Sequence, residues 1–191
     1  MTEGLDYLHS RGVIHGDLRP VRVSFDTLSF SLVFTQRQQN ILVNAEGNAC
    51  ITDFGLATVT RGNGATEHGY PSARSHNSLW AAPETLNDAH TSKEADIFSY
   101  GLVVVEVRPL DRRFSHADLA VQIWTGESPW GQVSAVQVMT KIALGELPVR
   151  PEGAKAPDLT TKLWDALTMC WHANPGDRIT ISEILKLLRF T

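Results

Sequence analysis

Asp53-Phe54-Gly55, in the string ITDFGLAT, joins a carboxylate to an aromatic anchor and a flexible glycine, and it does not stand alone. Upstream lie His15-Gly16-Asp17-Leu18, followed by Arg19, and then Asn40 at the start of NILV. Downstream come Glu84 in AAPE, Asp96 in DIFSYG and Arg178 in NPGDR. Residues of these types act through charge: carboxylates accept protons, and guanidinium groups offset anions. Clustered sulfur and imidazole ligands are missing. Cys50 and Cys170 are far apart, and the seven His show no i,i+4 or Cys-paired spacing, so a structural metal site is not expected. One such triplet would be noise, and an Asp after a Gly is by default a surface turn carboxylate. Six strings in a fixed order carry far more information.

That order, spread from Leu5 to Leu188, resembles the C-terminal lobe of a protein kinase, nearest the serine/threonine and tyrosine-kinase-like groups. The resemblance implies ATP-dependent phosphorylation of a protein, with Mg²⁺ as the metal. Phosphoryl transfer asks mainly for an aimed hydroxyl and neutralised charge. By resemblance Asp17 accepts the substrate hydroxyl's proton, and Asn40 and Asp53 hold Mg²⁺ and with it the nucleotide. Arg19 takes the place of a Lys that touches the γ-phosphate. His15 and Phe54 would pack in the regulatory stack, and Glu84 and Arg178 would form an ion pair that pins the activation segment. Asp96 would be a buried hub accepting backbone N–H bonds from the His15-Gly16-Asp17 turn. The Pro after Leu18-Arg19 and the lack of an AARN string favour Ser/Thr over Tyr. The rival class is a pseudokinase or interaction module that keeps the lobe without catalysis.

The chain departs from the family in three ways. Gly16 replaces the Arg of HRD, which in the family pairs with a phosphorylated loop residue. Phosphate on Thr58, Thr60, Thr66, Ser72, Ser75 or Ser78 would lack that partner, so control by loop phosphorylation is not expected. The chain has no Gly-rich loop, no VAIK-type lysine and no partner glutamate, which implies that the N-terminal lobe is absent and only half an ATP site is present. Two surplus segments complete the list.

Asp17 and Asn40 would stand five positions apart in the family, and here residues 21–38 intervene; deleting them restores HGDLRPQNILV. Deleting residues 107–122 likewise restores FSYGLVVVEIWTGESPWG, a helix and its following loop. Both segments begin Val-Arg and end in Gln, as in-frame introns left in the translation would. Natural insertion loops are the alternative, but a catalytic loop and a buried helix are poor hosts for them. The first segment alternates Val21, Val23 and Phe25 with Arg22, Ser24 and Asp26, and continues at period two to Phe34, so a protruding strand or hairpin is expected. It is also expected to uncouple Asn40 from Asp17, leaving the chain as it stands inactive.

These side chains need elements to hold them. A helix carrying Leu5, Leu8 and His9 should end at Gly12, and residues 41–43 and 50–52 read as a hairpin. The polar run after Gly55 reads as a long loop up to Leu79. Ser92 can cap a buried helix that must stop before Pro109, with a second start after Ser115 and Asp118. Further helices are expected over residues 134–144, 159–170 and 181–188, separated by Pro148, Pro151 and Pro175.

The fold class expected is α+β, mainly α: one partial kinase domain over residues 1–191, a helical subdomain with a short β-hairpin. A chain of 191 residues, 42% hydrophobic, can bury one sizeable core. A net charge of -4 gives no electrostatic reason to expect nucleic acid or an anionic membrane as partner. A protein substrate is the expected partner, and the unpaired thiols point to an intracellular, cytoplasmic setting.

Overall fold

A computed structural model of the chain describes residues 1–19, 23–26, 31–34, 40–43, 49–60, 66–68, 79–88, 91–106, 130–131, 133–151 and 159–189. Its elements run α1 (Thr2–Ser10), β1 (Val13–Ile14), β2 (Val23–Asp26), β3 (Ser31–Phe34), β4 (Ile41–Val43), β5 (Ala49–Ile51), β6 (Thr58–Thr60) and β7 (Thr66–His68), then α2 (Pro83–Asp88), α3 (Lys93–Glu106), α4 (Ala135–Ala143), α5 (Thr161–Thr168) and α6 (Ile181–Arg189). The mainly helical expectation holds, and the described strands all precede α2.

The core is built around α3. Ser92 Oγ accepts the Ala95 N–H at 3.0 Å and so caps its first turn. Ile97, Phe98, Tyr100, Leu102, Val103 and Val105 are all buried, which is why the helix is apolar around its circumference. Gly101 has a packing duty. A Cβ there would stand 2.6 Å from the Trp171 Nε1, so the glycine lets that indole lie against the helix backbone. The helix ends at Glu106, ahead of Pro109 as expected. The second helix start after Ser115 lies outside the described residues, as does the segment 107–122.

Around this axis α6 packs on α1 and α5, and Leu5, Leu167, Ile181 and Ile184 join the same cluster. The start of α4 carries a capping box, Ser134 accepting from the Gln137 N–H while the Gln137 side chain accepts from the Ser134 N–H. The last turns of the helix expected over residues 159–170 are 3₁₀ rather than α, running Met169–Trp171.

Among the described residues three small antiparallel sheets complete the fold. In one, β4 pairs with β5, Ile41 opposite Ile51, which is the expected hairpin. In another, β2 pairs with β3, Val23 opposite Phe34 and Phe25 opposite Leu32, so the described part of residues 21–38 is a hairpin closed on itself. The third corrects an expectation. The polar run after Gly55 is partly strand: β6 pairs with β1, Val59 opposite Val13, and β7 pairs with β6, Glu67 opposite Val59. Gly12, at a φ of +73°, makes the turn that opens the way, its carbonyl accepting the Thr60 N–H at 2.8 Å. β-branched Thr58, Val59 and Thr60 suit an extended backbone.

Candidate active site

The site is assembled where β1 leaves α1. Asp96, in the first turn of α3 and 2% exposed, accepts the His15 N–H on Oδ2 and the Gly16 N–H on Oδ1, each at 2.8 Å. His9 Nε2, from the last turn of α1, lies 2.9 Å from the same Oδ2. A buried carboxylate needs such donors, and the N-terminal end of α3 suits its negative charge. Asp96 is therefore the hub expected from the sequence. His9 as its third partner was not foreseen, because no motif marks it.

Gly16 takes a φ of +79°, and a Cβ on it would lie 2.7 Å from Thr91 Cγ2 and 3.0 Å from the Leu56 carbonyl oxygen. The residue that departs from HRD is thus one that the local backbone requires. Thr91 also hydrogen-bonds Thr58 hydroxyl to hydroxyl at 3.2 Å, both side chains buried, so Thr58 is closed to modification in this conformation.

His15 is fully buried. Its Nε2–H donates to the Thr52 carbonyl at 3.0 Å, which leaves Nδ1 to accept the Asp17 N–H at 3.3 Å. Phe54 meets the imidazole edge-on, ring centroids 5.4 Å apart. The packing role expected of this pair is half met, since Phe54 remains 48% exposed.

Asp17, like Asp96, receives three donors on its carboxylate. Arg19 grips it with both arms of the guanidinium, Nε to Oδ1 at 2.6 Å and Nη2 to Oδ2 at 2.7 Å. Asn40 Nδ2 adds a hydrogen bond to Oδ2 at 3.0 Å and a second, short one to the Asp17 carbonyl. The expected uncoupling of Asn40 from Asp17 is therefore corrected. A hairpin brings its ends together, so β2 and β3 return the chain to where it left, and Asn40 reaches Asp17 across the surplus residues.

Asn40 and Asp53 are placed by one hairpin. Asn40 precedes β4, and its carbonyl accepts the Thr52 N–H at 2.8 Å. Asp53 follows at a φ of 61°, left-handed for a non-glycine residue, with Oδ1 accepting the Gly55 N–H at 3.3 Å. Such a conformation costs roughly 1–3 kcal/mol and concentrates at functional sites. Asp53 is exposed, whereas Asn40 is buried and its Oδ1 has no hydrogen-bond partner among the described residues.

That orphaned oxygen tests the fit to Mg²⁺. A hard cation takes oxygen ligands, and Mg²⁺ is commonly held by one or two carboxylates together with substrate phosphates rather than by a full protein cage. Among the described residues no group of three or more His, Cys, Asp or Glu could hold a metal ion. A buried amide oxygen and one exposed carboxylate fit the sparser kind of site.

The remaining pair is structural. Arg178 Nη1 and Nη2 donate to Glu84 Oε1 and Oε2 at 2.6 and 2.8 Å, a bidentate ion pair as expected. The Arg178 side chain is fully buried; it also donates to the carbonyls of His172 and Glu94 and stacks 5.1 Å from the Phe98 ring centroid.

A buried hub beneath a carboxylate turn, a hairpin that presents an amide and an acid, and an ion pair locking the helices together define a kinase-like helical lobe. The family model "Protein tyrosine and serine/threonine kinase" matches residues 36–188, and the chain belongs to that family. It is 30% identical over 190 residues to the mitogen-activated protein kinase kinase kinase mkh1 of Cytospora mali, covering 95% of this chain and 8% of the relative. It is 26% identical over 188 residues to the serine/threonine-protein kinase STY17 of Arabidopsis thaliana, covering 98% and 25%. With the tyrosine kinase receptor Cad96Ca of Drosophila melanogaster it shares 27% identity over 191 residues, covering 98% and 19%. The chain thus spans a quarter or less of the length of these curated relatives.

Proposed function

We propose that this chain is the C-terminal lobe of a kinase domain that passes the γ-phosphoryl group of ATP to a Ser or Thr hydroxyl of a protein. The observation that carries the reading is the Asn40 amide, which meets both the carboxylate and the carbonyl of Asp17 across residues 21–38. Two residues of one reaction centre have reason to meet in this way.

In this reading Asp17 orients the substrate hydroxyl and takes its proton, while the Asp96 hub fixes the backbone that carries Asp17. Arg19 offers positive charge to the phosphates. Asn40 Oδ1 and the Asp53 carboxylate would hold Mg²⁺, which when bound neutralises charge on the transferring phosphoryl group. The chain brings no Gly-rich loop or VAIK-type lysine, so the 191 residues alone are proposed to bind nucleotide weakly and to transfer nothing. An intracellular setting belongs to the same reading, supported by Cys50 and Cys170 both standing as thiols.

A pseudokinase is the second reading, favoured by the grip of Arg19 on both oxygens of Asp17. The two separate in one assay. The chain is joined to an N-terminal kinase lobe, with residues 21–38 and 107–122 kept or removed, and supplied with Mg-ATP and a generic Ser/Thr substrate. Transfer that Asp17→Asn abolishes establishes the enzyme. Nucleotide binding without transfer in every version makes it a pseudokinase, and transfer by the 191 residues alone would overturn the stated need for an N-terminal lobe.

A further inference from the structure

We infer that Arg19 is an exchange clamp: it holds Asp17 closed until a polyphosphate draws the guanidinium away, so that phosphate must arrive before the hydroxyl. The inference rests on the proposed phosphotransfer reading, and it starts from the count of donors on one carboxylate. Oδ1 takes Arg19 Nε, and Oδ2 takes both Arg19 Nη2 and Asn40 Nδ2. Three donors on two oxygens leave little room for a substrate hydroxyl to hydrogen-bond and hand over its proton. Two of the three belong to Arg19.

The clamp is firm enough to matter and weak enough to open. Arg19 and Asp17 are two positions apart, so little chain is ordered to bring them together. Their side chains are 18% and 13% exposed, which removes much of the water that would screen an open surface pair. The planar guanidinium, however, is as well matched to two phosphate oxygens as to a carboxylate. A polyphosphate carries more charge than Asp17 and competes for the same fork. Asn40 stays behind, because its second bond goes to the Asp17 backbone carbonyl, and it keeps the carboxylate aimed once Arg19 has left. A Lys in place of Arg19 would contact the carboxylate as a point charge and could not occupy both oxygens in this way.

By linkage, whatever loosens Asp17 from Arg19 must tighten phosphate on Arg19 by the same factor. Inorganic tripolyphosphate is the probe, since it presents the phosphates without needing the rest of a nucleotide site. Its binding to the full 191-residue chain is measured by calorimetry for the unmutated protein, Asp17→Asn, Arg19→Gln and the double variant. Asp17→Asn is expected to bind roughly tenfold more tightly than the unmutated chain, within the usual range of coupling between two sites. Arg19→Gln should remove that gain in the double variant. Equal affinities for the unmutated and Asp17→Asn chains, a gain that survives Arg19→Gln, or no binding to any of the four overturns the clamp.

The Arg19 Nε–H resonance of the unmutated chain gives a second reading that depends on no substitution. It should move on adding tripolyphosphate, and a static signal at saturating probe also overturns the clamp. Failure of the kinase reading looks different: the gain on Asp17→Asn would remain while the lobe-joined protein transfers no phosphate.

Discussion

His9 shows how a residue with no motif of its own can govern the turn that carries Asp17. Its ring is one of three partners of Asp96, and the other two are the backbone N–H groups that lead directly into Asp17. His9→Leu leaves a buried carboxylate oxygen short of a donor and should cost about 1–3 kcal/mol in a denaturant melt. His9→Gln, which can still donate, should recover a good part of that. Equal melts for Leu and Gln would deny the hydrogen bond its role. Gly16 sets the opposite kind of limit. Gly16→Arg restores the family's residue in sequence, but the positive φ and the 2.7 Å approach of Thr91 should make it destabilising rather than a gain of phosphate control. A melt unchanged by Gly16→Arg would refute the steric account. The named site residues were legible at this scale because their types and order survive in the string. His9 and Thr91 were not, since each owes its role to a contact more than 30 positions away.

At the scale of elements, helices were the readable part. Ser92, Ser134 and Thr160 each sit before a helix and accept from its first turn, so the starts of α3, α4 and α5 were written locally. β6 and β7 were missed for a physical reason: β1 is only two residues long, too short to show a period, and its partner lies across α1's exit some 45 positions on. The meeting of Asn40 with Asp17 was misjudged likewise, because the length of an insertion was counted without the hairpin that folds it back. The hairpin has its own liability. It is a two-stranded sheet by itself, with both outer edges unpaired among the described strands. Such a hairpin is marginal alone and a template for other chains. The 191-residue protein should aggregate on concentration, and deletion of residues 21–38 should relieve it. Monodisperse full-length protein with slow amide exchange over Val23–Asp26 would contradict this.

The molecule as a whole is held by the core around α3 and by the ion pair that ties α2 to the segment leading into α6. Glu84→Gln leaves the buried Arg178 guanidinium without its counter-charge and should cost about 3 kcal/mol or more, read from denaturant unfolding. A loss below about 1 kcal/mol, the range of surface pairs, would show the lock to be decorative. The core also sets an alkaline limit. Burial pushes the Cys170 thiol up from its ordinary 9.0 to about 12, with the Arg178 charge opposing, and burial raises Tyr100 as well. Raised folded-state values mean that the unfolded chain loses these protons first. The stability they contribute is complete below pH 9 and drains away as pH climbs from 9 towards 12. Cys170→Ser and Tyr100→Phe should each flatten that fall, and an equally steep fall in both variants would place its cause elsewhere. Cys50, exposed on β5, should meanwhile react with a thiol reagent that leaves Cys170 untouched until the fold opens.

The hairpin between Asp17 and Asn40 also makes the stretch that carries them addressable. Because β2 and β3 run side by side, whatever joins Asp26 to Ser31 can be exchanged while both ends of the insertion stay where they are. A peptide that stiffens on meeting an analyte, spliced in there, would strain the pairing of β2 with β3 and through it the contact of Asn40 with Asp17. The insertion thus offers a port for a biosensor, with the contact of Asn40 and Asp17 as the quantity it would report.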